Sequence, residues 1–149
     1  MDQSHSTVAQ QIARVASAFE RRLTGHAPRS VTVVLSEGTL VVTLHGALSP
    51  AERALSRSPA GAAQVQEFHR QLFALSLDAL RQEIKRITGV EVREAAAEVE
   101  AATGTVVKAF TTGTVVQVFL LARGVPADTW SGDGQGGATC PIPTVAEGG

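Results

Sequence analysis

Two short runs of alternating apolar residues around a glycine turn constrain this chain more than any other feature. Val31, Val33 and Leu35 recur at every second position, and so do Leu40, Val42 and Leu44. Between them lies Ser36-Glu37-Gly38, with glycine where a positive φ is expected. The pattern predicts a β-hairpin over residues 30–45. A hairpin with one apolar face is marginal by itself, so the rest of the chain has to cover that face.

Helical segments on both sides offer the cover. In 6–24, Val8, Ile12, Val15, Phe19 and Leu23 return at three- and four-residue spacing, which predicts a helix with one apolar stripe. Ser6 or Thr7 caps its start, and Gly25 suits the left-handed position past its end. After the hairpin, Ser49-Pro50-Ala51-Glu52 reads as a capping box. The serine hydroxyl accepts from the Glu52 amide, the glutamate reaches back, and Pro50 occupies the first helical position, where a missing N–H costs nothing. A short helix over 50–57 follows, with Leu55 inward. Pro59 and Gly61 break it. A long helix is then predicted over 62–87 from Val65, Phe68, Leu72, Phe73, Leu77, Leu80, Ile84 and Ile87. Its stripe is broad near Leu72-Phe73-Ala74-Leu75, wide enough to cover a sheet and to meet a second subunit.

Thr88-Gly89 ends that helix. In 90–101, Val90, Val92 and Val99 favour a strand, whereas Glu94-Ala95-Ala96-Ala97-Glu98 favours a helix. The short span between two glycine turns decides for a strand. Thr103-Gly104-Thr105-Val106-Val107 then recurs as Thr112-Gly113-Thr114-Val115-Val116. A turn plus a strand in each copy predicts antiparallel strands over 105–111 and 114–122. From 127 onward, Ser131-Gly132-Asp133-Gly134-Gln135-Gly136-Gly137 and Cys140-Pro141-Ile142-Pro143 read as a flexible tail to 149. The expected architecture is a single α+β domain over 1–126. It is a two-layer sandwich in the order α-β-β-α-α-β-β-β, with an antiparallel sheet of four or five strands and two main helices on one face.

Charge and composition narrow the function. A net charge of −1 with scattered Lys and Arg lacks the basic face that nucleic acid requires. The one cysteine, Cys140, rules out an internal disulfide and a multi-thiolate zinc site. The polar start, Met1-Asp2-Gln3-Ser4-His5, does not read as a signal peptide. No apolar run approaches the roughly 20 residues that span a bilayer. A cytoplasmic chain is expected, one that reaches a membrane only through a partner.

No catalytic, metal or cofactor constellation stands out. His5, His26, His45 and His69 lack helical metal-ligand spacing. His45, at a strand end beside Gly46, is either a ligand-contacting, pH-sensitive group or a solvated strand-end residue. Cys140 has no base beside it in sequence. The glycines at 132–137 follow no strand and open no helix, as a dinucleotide loop would need. Glu94, Glu98 and Glu100 would share one face of a strand, most simply the solvent side. Glu52 reads as a cap, and Arg53 and Arg70 as solvated helix faces. Trp130, the one tryptophan, either docks on a partner or folds back on its own domain.

Several pieces in order resemble one bacterial family. Gly25-His26-Ala27-Pro28 matches a Gly-x-x-Pro turn before a strand. Leu48-Ser49-Pro50-Ala51-Glu52-Arg53-Ala54-Leu55 is similar to a Leu-Thr-Pro-x-Glu signature, with serine for threonine, an equivalent cap. Ile87-Thr88-Gly89-Val90 and Val118-Phe119-Leu120-Leu121 match a later helix-to-strand junction and a last strand. Over Gly25–Leu121, about two-thirds of the chain, this resembles the MpsC-like family, named for a sodium-translocating, membrane-potential-generating system. The resemblance implies an accessory or regulatory protein docking on membrane transport subunits, and the broad stripe near Leu72 adds the expectation of a homodimer. The resemblance carries no catalytic residues. It makes Pro28, His45, Glu52, Arg53 and Arg70 the candidate partner or ligand contacts. Gly25, Ser49, Pro50 and Gly89 are structural positions of these motifs, and Gly104 and Gly113 are structural positions of the internal repeat. A small-ligand or nucleotide-binding regulator is the alternative, and an uncharacterised enzyme the third reading.

Overall fold

The computed structural model of the chain describes residues 6–100 and 114–132. Its elements are α1 (Val8–Thr24), β1 (Ser30–Ser36), β2 (Thr39–His45), α2 (Pro50–Leu55), α3 (Pro59–Thr88), β3 (Val92–Glu100), β4 (Thr114–Leu121) and β5 (Asp128–Gly132). The strands form one antiparallel sheet in the order β3-β4-β2-β1-β5. The α+β architecture is observed and the first five elements come in the predicted order; of the three later strands predicted, those over 90–101 and 114–122 are present, and 105–111 lies outside the described residues.

The hairpin folds as its alternation requires. Val31, Val33 and Leu35 pair with Leu44, Val42 and Leu40, and all six are fully buried. Glu37 and Gly38 both take positive φ, 51° and 78°, the two-residue turn whose twist matches the flanking strands. On β4 the inward positions are Val115, Gln117, Phe119 and Leu121. Helices α1 and α3 lie together on this face. Ile12 and Ala16 of α1 and Leu80 and Ile84 of α3 line one small apolar gap against Val42 and Phe119. On the opposite face Val34 is exposed, and Val41, Val116, Val118 and Leu120 are only partly covered.

Helix ends follow the predicted chemistry. Thr7 caps α1, and Gly25 and Gly89 close α1 and α3 in the left-handed conformation. Ser49, Pro50 and Glu52 form the capping box of α2. Ser58 caps α3, which starts at Pro59, earlier than expected. Gly61 is the reason the two helices can abut: a Cβ there would lie 1.9 Å from the Leu55 carbonyl oxygen.

Leu55, expected inward, is exposed at the end of α2, and three broader expectations also need correction. The α1 stripe is rotated. Its buried face is Ala9, Ile12, Ala13, Ala16, Ser17 and Glu20, while Val8, Val15 and Phe19 flank it and Leu23 is exposed. Small alanines let the helix approach the sheet, and the larger side chains close the edges. The α3 stripe is likewise narrower than predicted. Phe68 is exposed, and His69 and Ser76 take buried positions between Val65, Phe73 and Leu80.

The third correction concerns the tail. Residues 128–132 form β5, which pairs with β1 at the sheet edge and sets Trp130 opposite Val33. Trp130 folds back onto its own domain and packs against the core. A Cβ on Gly132 would meet the indole at 2.4 Å, so glycine is what lets the ring lie flat there. The Asp128 carboxylate accepts the Ala9 amide at 2.8 Å, at the start of α1, where an anion also suits the helix dipole. Nonlocal pairing thus holds a segment whose composition suggests none. The predicted strand 105–111, the glycines Gly104 and Gly113, and Cys140 fall outside the described residues.

Candidate functional site

The capping box does more than start a helix. Glu52 Oε1 accepts the Ser49 amide at 2.9 Å, and the Glu52 amide donates to Ser49 Oγ at 3.2 Å. That bond fixes the carboxylate and turns its other oxygen toward α3. There His69 Nε2 donates to Glu52 Oε2 at 2.8 Å. The second ring nitrogen, Nδ1, faces Glu20 Oε2 of α1 at 3.6 Å, within ion-pair range but too long for a hydrogen bond. One imidazole therefore stands between two carboxylates drawn from three helices.

This cluster is inside the protein. His69 is 5 % exposed and Glu20 7 %. Neither side chain is an obvious choice for such a place, since buried charge must be paired or neutralised. Burial, with the nearby Glu52 charge, raises the Glu20 carboxyl from 4.5 to about 7. For Glu52, burial pushes upward. The Ser49 amide, the hydrogen bond and charge of His69 and the Ser49 hydroxyl together outweigh it, so its carboxyl is held below the usual value. Two carboxyls beside one ring thus hold protons very differently: at neutral pH Glu52 is an anion while Glu20 is poised to titrate.

A cavity adjoins the cluster between α1, α3 and β4. Glu20, His69, Ser76 and Gln117 contribute its polar groups, and Phe19, Phe73 and Leu80 part of its apolar wall. It has room for a single water-sized group. Gln117 is 8 % exposed. Glu20 Oε2 and Gln117 Oε1 have no hydrogen-bond donor among the described residues. Arg70 lies at the rim, exposed, with its guanidinium donating to Glu67 at 2.9 Å. No group of three or more His, Cys, Asp or Glu with metal-holding geometry occurs among the described residues.

The structure separates the predicted contacts. Glu52 enters the cluster, and Arg70 stands beside it. Arg53 is exposed on α2. Pro28 is buried in the turn before β1. His45 sits apart at the end of β2, its Nε2 3.1 Å from Thr32 Oγ1. Burial, then the neighbouring Arg29, lowers its pKa, which favours the neutral ring. Reading the sequence missed Glu20, His69 and Gln117. A signal was available: His69 falls four residues from both Val65 and Phe73, on the buried stripe, where a polar side chain needs a partner.

The spacing of the turn, the cap and the α3–β3 junction has a counterpart among known families. A family model described as "Na+-translocating membrane potential-generating system (MpsC)" matches residues 4–114. The matched span takes in α1 and so includes Glu20, Glu52 and His69. No curated protein and no solved structure matches the chain. No described helix is long and apolar enough to cross a membrane. Nearly three-quarters of the sequence lies within the family match, and the chain belongs to the MpsC family, linked by its description to a sodium-translocating membrane system.

Proposed function

We propose that this chain is a non-catalytic, cytoplasmic accessory protein that docks on the membrane subunits of a sodium-translocating system and regulates them. Family membership supports the link to that system. The observation that carries the regulatory reading is the buried Glu20–His69–Glu52 cluster. Its ionisable groups converge from three helices, but the adjoining cavity takes only a water-sized occupant. Such a site responds to a proton or a small ion and does not receive an organic substrate.

A homodimer is part of the proposal. Phe68 and Leu75 of α3 are 46 % and 78 % exposed, seven residues apart and so on one side of the helix. The test is crosslinking of the full chain in native membranes, followed by affinity capture and identification of the attached proteins. Membrane transport subunits are the expected catch. Recovery of cytosolic proteins alone would overturn the docking role. Light scattering on the purified full chain is expected to give twice the chain mass, and a monomer would remove the dimer.

A further inference from the structure

Among the described residues, two acceptors in the cavity beside the cluster have no hydrogen-bond donor. Glu20 Oε2 and Gln117 Oε1 come from different layers, α1 and β4, and line the same small space. Both side chains are more than nine-tenths buried. Leaving such oxygens without a donor costs free energy, and most buried polar groups in proteins are satisfied. The groups around them do not supply the missing donor. Ser76 Oγ donates to the Phe73 carbonyl of its own helix at 3.1 Å. His69 Nε2 is committed to Glu52, and Nδ1 stops 3.6 Å short of Glu20.

We propose that this cavity is a binding site for one small monovalent cation, with Glu20 and Gln117 as its protein ligands. Size limits the occupant to a water-sized ion such as sodium or ammonium. Charge points the same way. An ion beside Glu20 offsets the nearby charge of Glu52, where His69 Nδ1 comes only within ion-pair distance of Glu20. Hard oxygen donors, one a carboxylate and one an amide carbonyl, suit an alkali ion or ammonium and not a soft metal. A proton and the cation are therefore alternatives at one carboxylate. Facing that carboxylate are Glu52 of α2, His69 of α3 and, at the rim, Arg70, which is paired with Glu67. The site stands on its own geometry and does not depend on the membrane partner proposed above.

The experiment follows thermal unfolding of the full chain in sodium, ammonium or tetramethylammonium chloride at equal ionic strength, at pH 8 and at pH 5. At pH 8, sodium or ammonium raises Tm by about 5 °C over tetramethylammonium once the ion is roughly tenfold above half-saturation. At pH 5, where Glu20 holds its proton, the difference disappears. Glu20→Gln and Gln117→Leu each abolish the difference at pH 8. Line broadening of the sodium-23 resonance by the wild-type chain gives a second readout that needs no variant. Superimposed curves for all three salts at pH 8, with no broadening, overturn the proposal. In that case the space holds water, or the Gln117 amide is turned to donate to Glu20.

Discussion

Replacing Glu20 by glutamine should change how stability depends on pH more than it changes stability at any single acidic pH. In the folded chain the Glu20 carboxyl is raised to about 7, against 4.5 for an ordinary glutamate carboxyl. The folded state therefore binds this proton more tightly than the unfolded chain does. Between the two values the unfolded chain has lost the proton and the folded one keeps it, so stability falls as pH rises. The contribution is fully present below 4.5 and gone above about 7. At about 1.4 kcal/mol for each pH unit, that interval amounts to about 3 kcal/mol. Glu20 is almost wholly enclosed, so solvent screening takes little from this figure. Glutamine keeps the shape and cannot ionise. The check is urea unfolding of both proteins from pH 4 to pH 8.5, without small cations. The gap between variant and wild type should move in the variant's favour by about 3 kcal/mol across that range, or roughly 10 °C in Tm for a chain of this size. Glu52 does not imitate the effect. Its carboxyl is depressed, so its contribution is present above its unfolded value and is lost only as pH falls below that. A gap that stays constant from pH 4.5 to 8 would refute the assignment of a titrating Glu20.

Three further perturbations test the frame around the site. His69→Leu removes the group between the two carboxylates and leaves Glu52 Oε2 without its donor; a loss of about 3 kcal/mol in chemical denaturation at pH 7 is expected, of the size seen when one partner of a buried pair is deleted. Gly61→Ala places a methyl against the Leu55 carbonyl, so α2 has to move. Overpacking of this kind costs about 2 kcal/mol, and calorimetry at pH 7 should show it as a lowered Tm. Asp128→Ala removes the acceptor of the Ala9 amide; a loss of about 1 kcal/mol is expected, with faster amide exchange in β5 and at the start of α1 but not in β2.

These tests fall where local sequence and nonlocal packing part company. The hairpin was legible because alternation and a two-residue turn are both local, and each dictates backbone geometry directly. The caps at Ser49, Gly25 and Gly89 were legible for the same reason. What the pattern could not give was rotation about a helix axis. In α1 the larger residues mark one stripe, but the alanines mark the face that meets the sheet, and only the distance between layers decides between them. β5 was hidden in another way. Five residues beside a glycine-rich run carry little strand signal alone, and their stability comes from β1 and from the start of α1, far away in sequence.

The candidate site combines both difficulties. Glu52 has two carboxylate oxygens, and the capping pattern accounts for one. The second was free to do something the motif does not mention, and in the fold it holds His69. A cap residue is thereby made the rigid member of a charged cluster, since the Ser49 amide fixes its carboxylate before His69 binds it. Glu20 has no such anchor: its Oε2 has no hydrogen bond among the described residues, and its pKa is the one displaced toward neutrality. Rigidity at one carboxylate and an unsatisfied oxygen at the other make the pair respond unequally to pH. A responsive group in a packed core is useful only if its change of charge reaches the surface. Here the route is short, because the three helices that carry Glu20, Glu52 and His69 meet at the cluster, and α3 also bears the exposed Phe68 and Leu75. Protonation of Glu20 changes the charge that faces His69 where α1 and α3 meet.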